Sequence, residues 1–287
     1  MHIVDILSGS IPIIESKVNL LSFEDKDKIR QLIKYFVRLG NTKGSIDTDI
    51  YIVDDKLSQL TSKDINFIFF DDIILLSKYD KRIRELIIKY LKFKLETDSD
   101  LLLEYIKSKR YIEEFFNDIK IKNNNYYLEF FLEDIDLESI IKKLEIDIFF
   151  NKDEEDVLDI MKLIVDLSIK LEIKNKTFFI CMLFPENSIK AQKFSELLNY
   201  FRELKITTLI ITTDELLYSE TLIDDNIILV NNFFEKYDID ALKSEYELFY
   251  DSIEWNKLLQ LAFLDFKSNY NLIDPKLKKF LISKIHK

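Results

Sequence analysis

Basic residues in the second quarter of the chain form the clearest functional pattern in the sequence. On a helix, with about 100° per residue, these side chains fall within roughly a third of the circumference, opposite an apolar face. They are Lys78, Lys81, Arg82, Lys89 and Lys92, and only Glu85 interrupts them. Solvated helix faces usually mix both signs of charge, so a face of one sign is unexpected in a chain of net charge −11. This basic stripe predicts an anion-binding surface, and Lys107, Lys109 and Arg110 form a smaller basic group that extends it.

Acidic side chains are concentrated after a predicted strand at 126–131. Carboxylate oxygens are hard donors of the kind that Ca²⁺ and Mg²⁺ prefer. The candidate ligands are Glu129, Glu133, Asp134 and Asp136. Their spacing lacks the glycine and the alternating acidic positions of an EF-hand loop. An acidic helix N-terminus at Asp136 and Glu138, favoured by the helix dipole, is the simpler interpretation, and both interpretations stay open.

Residues for the common catalytic mechanisms are missing. His2 and His286 lie at the two ends of the sequence, which argues against a histidine base or a histidine metal site. Cys181 is the single cysteine and lies in an apolar run, so neither a disulfide nor a thiolate zinc site is expected. The stretch 40–45 has the wrong glycine spacing for a phosphate loop. We therefore expect no enzymatic activity and no bound nucleotide. A metal-dependent nuclease is the alternative, because paired carboxylates can hold two metal ions.

Hydrophobic patterning predicts the elements that must position these residues. Apolar runs at 177–184, 206–212 and 226–230 alternate with helical patterns, which is typical of parallel strands buried on both faces. Further strands are expected at 11–14, 18–21, 50–53, 67–70, 126–131 and 146–150. The predicted fold class is α/β, with a doubly wound, mostly parallel sheet.

The helical segments divide the predicted chain further. Residues 77–117 read as a helical hairpin with a break at 97–100, where Asp98 or Ser99 is expected to cap the second helix. Ser22 is expected to cap the first helix of the chain, with Asp25 three residues on. The predicted domains are an α/β head at 1–74 and 126–240, a helical insert at 75–125 and a C-terminal helical extension at 241–287. No apolar run reaches membrane-spanning length and no signal peptide is evident, which predicts a cytoplasmic protein.

Several segments, in their order, resemble the Csn-type ring proteins of type II-A CRISPR adaptation modules. Residues 18–25 are similar to the family's opening strand, which leads into a helix through an acidic step. Residues 137–148 look like its helix-to-strand element, and the apolar runs at 178–183, 206–213 and 222–230 match its later strands. The resemblance covers residues 11 to 235, and the helical extension suggests a longer subfamily.

The resemblance implies a P-loop-like head without a Walker motif and a homotetrameric ring that threads double-stranded DNA through a lysine-lined hole. It also implies structural calcium and cooperation with the CRISPR integrase complex and the RNA-guided effector nuclease during spacer acquisition, a step of antiviral defence. The basic stripe lies in the part that corresponds to the family's insert, so its residues are the DNA-contact candidates. The four acidic candidates lie where the family's acidic segment joins insert to head. The expected function is non-enzymatic, sequence-independent DNA binding, with a nuclease or a protein-interaction scaffold as alternatives.

Overall fold

The computed structural model describes residues 1–41, 48–70, 81–123, 126–129, 156–171 and 176–267, with the single positions 140, 143, 146, 148 and 279. The chain divides into two compact units. The first contains Met1–Leu75 and Ile173–Lys287, and the second contains Leu76–Glu172. In the part of the chain that the structure describes, no helix is both long and apolar enough to cross a lipid bilayer.

The strands in chain order are β1 (His2–Asp5), β2 (Gly9–Pro12), β3 (Val18–Phe23), β4 (Ile50–Val53), β5 (Ile65–Phe70), β6 (Lys120–Asn123), β7 (Tyr126–Glu129), β8 (Thr177–Leu183), β9 (Thr207–Ile211) and β10 (Asn226–Val230). The helices are α1 (Lys26–Asn41), α2 (Lys81–Thr97), α3 (Ser99–Asp118), α4 (Val157–Lys170), α5 (Phe194–Leu204), α6 (Glu215–Ser219), α7 (Ile239–Glu247) and α8 (Trp255–Phe266).

A five-stranded parallel sheet in the order β10-β3-β9-β8-β5 forms the centre of the first unit. All six residues of β3 are buried, as expected for a central strand whose two faces are covered. The predicted doubly wound α/β class is confirmed. The order of the strands adds a feature that local patterning does not show, since β3 lies between β9 and β10 and pairs with both.

A smaller antiparallel sheet, in the order β2-β1-β4, accompanies the parallel one. The predicted strand at 11–14 is observed as β2, which already ends at Pro12. The first strand, β1, was not predicted, although Ile3 is fully buried in it. The strand predicted at 146–150 falls mostly outside the described residues, and the two described positions, Ile146 and Ile148, carry no strand assignment.

Aromatic residues from α1 and the sheet fill the core of the first unit. The ring of Phe36 lies 5.7 Å from the ring of Phe67 and 6.1 Å from that of Phe179, measured between centroids. The prediction that Ser22 caps α1 is wrong, because Ser22 belongs to β3 and is buried. The side chain of Asp25 accepts the Asp27 N–H at 2.8 Å instead, which satisfies one of the free amides at the start of the helix.

The second unit contains the predicted helical hairpin, α2 and α3. The Asp98 side chain caps α3 by accepting the Leu101 N–H at 3.2 Å, as the sequence suggested. A β-hairpin, β6-β7, follows, of which only the second strand was predicted. Helix α4 packs within this unit, where Lys170 Nζ lies 5.8 Å from the Tyr90 ring centre. The observed unit thus extends to Glu172, whereas the predicted insert ended at residue 125.

The predicted C-terminal extension belongs to the first unit. Seven residues of α8 are buried, and its Phe263 ring lies 5.1 Å from the ring of Tyr218 in α6. The side chain of Gln260 donates a hydrogen bond to Glu215 of the same short helix at 3.0 Å. The extension therefore contributes to the core of this unit.

Candidate nucleic-acid interface

Helix α2 carries the basic stripe, and two apolar residues anchor it. Ile83 and Leu95 are buried, with exposed fractions of 1% and 7%. This fixes the rotation of the helix, because burying the apolar side leaves the opposite side in solvent. Lys81, Arg82 and Lys89 are exposed and Lys92 is half-buried. Lys78 lies outside the described residues.

The charges of Lys81 and Lys89 on this helix are only lightly compensated. Lys81 Nζ lies 3.7 Å from a carboxylate oxygen of Glu85, and both side chains are exposed. An exposed pair at this separation is weak and competes poorly with other anions. Among the described residues, Lys89 makes no ion pair and its side chain is exposed. Lys81 and Lys89 therefore present positive charge to solvent on α2.

The second basic group, on α3, has a different electrostatic character. Each of its three members pairs with an acid of the same helix: Lys107 with Glu104 at 2.8 Å, Lys109 with Glu113 at 3.9 Å and Arg110 with Glu114 at 2.8 Å. These pairs lie three or four residues apart, the spacing at which helical neighbours meet. The α3 surface is consequently of mixed sign, and we expect it to contribute less than α2 to the attraction of a polyanion.

The predicted calcium ligands fall almost entirely outside the described residues. Glu133, Asp134 and Asp136 lie there, and for Glu129 only the backbone is described, at the end of β7. Within the described part of the chain, no three His, Cys, Asp or Glu side chains converge on one point. The calcium assignment stays a prediction.

Aromatic packing fills the carboxyl edge of the parallel sheet near β3. In sheets of this kind, the turn after the first strand commonly holds phosphates or other ligands. Here the Phe23 ring stacks on the Phe234 ring at 5.9 Å between centroids, and Phe234 is buried. Lys28 Nζ lies 4.7 Å from the centre of the same Phe234 ring. The turn is also tied down, because the Glu24 carboxylate accepts the Asn232 N–H at 3.1 Å.

A polar cluster that sequence analysis missed lies at the same edge. Glu186 Oε1 accepts the Thr213 N–H at 3.0 Å, while Glu186 Oε2 is buried with no hydrogen-bond partner in the described structure. The hydroxyl groups of Ser22 and Tyr218 are likewise buried without a partner of good geometry. Burial raises the pKa of the Glu186 carboxyl, and the Thr213 N–H offsets this in part. Burial also raises the pKa of the Tyr218 hydroxyl, with a further contribution from Glu186.

Among the described residues, Glu186 is the one carboxylate of this cluster that does not cap a helix, whereas two-metal chemistry uses several carboxylates. The nearby Asp214 is committed to capping α6, since its Oδ1 accepts the Leu216 N–H at 2.7 Å. The residues of the cluster come from three separate stretches of sequence. In the sequence, the one indication of this cluster is that Glu186 and Asp214 come just after predicted strands.

Comparison with known proteins establishes the fold. No protein-family model matches the sequence, and no curated protein matches it. The structure is similar to the crystal structure of Stu0660 of Streptococcus thermophilus, with a TM-score of 0.64. The similarity covers 100% of this chain and 94% of that chain, at 12% sequence identity. At this identity, the comparison shows that the two proteins share a fold over essentially their full lengths.

Proposed function

We propose that this protein is a CRISPR-associated DNA-binding protein of the Csn type, which binds double-stranded DNA without reading its sequence and without catalysis. The observation that carries the proposal is the exposure of three basic side chains on α2, Lys81, Arg82 and Lys89, in a chain of net charge −11. The family resemblance of the sequence supports a role in spacer acquisition. The fold shared with Stu0660 over the full chain is compatible with that resemblance.

The mechanism that we propose is neutralisation of phosphates. Lysine and arginine side chains that approach the DNA backbone release condensed counterions, which supplies affinity independently of base sequence. A homotetrameric ring would repeat the α2 stripe four times around a central hole and so turn one helix face into a continuous positive lining. Calcium held by Glu129, Glu133, Asp134 and Asp136 would brace this ring. The CRISPR integrase complex and the RNA-guided effector nuclease are the proposed partners, in the cytoplasm.

Charge reversal on α2 tests the proposal. We expect replacement of Lys81, Arg82 and Lys89 by Glu to abolish binding of linear duplex DNA in a gel-shift assay. The matched control reverses three exposed lysines of the first unit, Lys56, Lys63 and Lys190, and should bind as the wild type does. Both variants keep the far-ultraviolet circular dichroism of the wild type, because all the altered side chains are exposed. Undiminished binding by the α2 variant would refute the assignment.

The topology of the DNA tests the ring. A closed ring that threads DNA needs a free end, so linear duplex should bind and covalently closed circles of the same sequence should not. Solution mass with and without Ca²⁺ measures assembly directly. Incubation of labelled duplex with Mg²⁺ or Mn²⁺ separates binding from nuclease activity, since the binding model requires intact DNA.

A protein-interaction scaffold is the second candidate function, because α3 exposes unusual amounts of apolar surface. None of its residues is buried, and Leu103, Ile106, Tyr111 and Phe115 have exposed fractions of 52%, 54%, 72% and 62%. Contiguous exposed apolar surface commonly marks a protein interface. If this function is the correct one, replacing Tyr111 and Phe115 by Ser should remove partner binding and leave DNA binding unchanged.

A further inference from the structure

A cavity of about 370 Å³ lies beside the edge strand β10 in the first unit, whereas the basic stripe belongs to the second unit. Beyond β10 the chain turns and runs back along the strand, where the Tyr237 N–H donates to the Leu229 carbonyl at 2.6 Å. It then leaves the strand at Asp238, whose side chain caps α7 by accepting the Ala241 N–H at 2.8 Å. Asn226 and Ile227, at the start of β10, line the cavity together with Trp255. The volume is in the range of small-ligand sites.

The walls of the cavity carry more negative than positive charge. Asp225, Asp238 and Asp240 line it together with one cation, Lys236. The charge of Asp225 is already balanced, since Arg202 binds both of its carboxylate oxygens, at 3.1 and 2.6 Å. Among the described residues that line the cavity, Asp238 and Asp240 are opposed only by Lys236, so this lining carries a net negative charge.

The cavity also contains an ammonium group and an indole N–H, which restrict the ligands that it can bind. Lys236 Nζ donates to Asn226 Oδ1 at 3.0 Å, and Asn226 Nδ2 donates in turn to Asn19 Oδ1 at 2.8 Å, which holds the ammonium group against the strand. The indole N–H of Trp255 is buried and has no acceptor among the described residues. A buried donor without a partner is costly, so a bound ligand that supplies an acceptor gains affinity there. Asp240, which lines the cavity, has an exposed side chain, and this side chain makes no hydrogen bond with any other described residue.

We propose that this cavity binds an arginine or lysine side chain together with its neighbouring backbone carbonyl. The cationic group pairs with Asp240, and Asp238, whose Oδ1 already accepts the Ala241 N–H, adds negative charge beside it. The carbonyl accepts the Trp255 N–H, and the aliphatic stem lies along the indole ring. Guanidinium and ammonium groups on aromatic rings gain additional electrostatic attraction. The source of this group is a basic segment of a partner protein, and free arginine is the competing source that the experiment separates. The proposal does not depend on DNA binding, because the cavity and the α2 stripe belong to different units.

The single tryptophan of the chain lines the cavity, so its fluorescence reports on binding directly. The probes are a capped Gly-Arg-Gly tripeptide, the same tripeptide with citrulline in place of arginine, and free arginine. Citrulline is nearly isosteric with arginine and uncharged. We expect a saturable change in Trp255 emission with the arginine peptide and none with the citrulline peptide. Saturation by free arginine as tightly as by the peptide would identify a small-molecule site instead of a peptide site and overturn the choice of partner.

Three variants make the test specific. Asp240→Asn removes the charge and keeps the shape, and it should weaken binding of the arginine peptide about tenfold, as expected for loss of a charged hydrogen bond. Glu203→Gln is the matched control, an equivalent change at an exposed carboxylate on α5 outside the cavity, and should bind as the wild type does. Trp255→Phe, followed by calorimetry, keeps a ring and removes the N–H, and should also weaken binding. Equal affinity of the arginine and citrulline peptides, or unchanged affinity in Asp240→Asn, would overturn the proposal.

Discussion

The ion pair between Arg202 and Asp225 gives the sharpest prediction about stability. It joins helix α5 to the residues just before β10, with Arg202 Nη2 2.6 Å from Asp225 Oδ2 and Arg202 Nε 3.1 Å from Asp225 Oδ1. The two side chains have exposed fractions of 18% and 3%. Replacing Arg202 by Met keeps the aliphatic stem and leaves a buried carboxylate without its cation.

The expected cost follows from what remains around Asp225. Breaking a buried pair from one side typically costs about 3–5 kcal/mol, because the remaining charge is uncompensated. Asp225 keeps one hydrogen bond, from the Leu222 N–H at 2.8 Å, which places the estimate at the lower end, about 3 kcal/mol. For a chain of 287 residues, that corresponds to a fall in melting temperature of about 5 °C.

Urea denaturation followed by Trp255 fluorescence measures this cost in the unit that contains the pair. The double variant Arg202→Met with Asp225→Asn removes both charges, and we expect it to be about 2 kcal/mol more stable than the sum of the two single changes predicts. The control Arg30→Met breaks a fully surface pair with Asp27, whose side chains are 72% and 77% exposed, and should change stability by less than about 0.5 kcal/mol. A loss of less than about 1 kcal/mol in Arg202→Met would refute the reasoning about the buried carboxylate.

Three further predictions concern other parts of the molecule. Lys89→Gln should reduce the magnitude of the slope of log binding constant against log salt concentration by about 0.9 for each DNA-contacting subunit. The control Lys63→Gln should leave this slope unchanged. A slope in Lys89→Gln equal to that of the wild type would show that Lys89 does not contact the DNA. Glu186→Gln should stabilise the protein against urea at about pH 8, because burial raises the pKa of Glu186 and makes its ionised form costly. The gain in stability should vanish at about pH 4, where the Glu186 carboxyl becomes protonated in both the folded and the unfolded wild type. A gain that does not depend on pH would contradict this cause. Phe234→Ala should cost about 3 kcal/mol, since the ring is buried against Phe23, and an unchanged urea midpoint would show that the turn does not depend on it.

Local patterns in the sequence identify most elements and the face of the candidate site. Ile83 is buried and Lys81, Arg82 and Lys89 are exposed, as the helical periodicity predicted, whereas Lys92 is half-buried. The ion pairs of α3 were visible in principle, because Arg110 and Glu114 stand four residues apart, a spacing at which opposite charges meet. These pairs offset the charge of the second basic group, because each cation meets an acid of the same helix.

Long-range arrangement lies beyond such patterns. Nothing in the local sequence of β9 or β10 shows that β3 separates them, since each strand is simply an apolar run buried on both faces. The cluster of Ser22, Glu186 and Tyr218 assembles from positions far apart in the chain for the same reason. The capping error at Ser22 has a local cause, because Ser and Asp are both good caps and the strand continues through Ser22 to Phe23.

Strand β3 lies between β9 and β10, the last two described strands of the chain, and this has a consequence for protein synthesis. The ribosome makes residues 18–23 early, yet both hydrogen-bonding neighbours, β9 and β10, emerge only with residues 207–230. The apolar segment of β3 therefore stays without either of its hydrogen-bonding neighbours until the entire second unit has been translated. Pairings of such large sequence separation form slowly and leave intermediates prone to aggregation. We expect nascent chains released before Val230 to require chaperone protection, and full-length chains to complete the sheet in a late, concerted step.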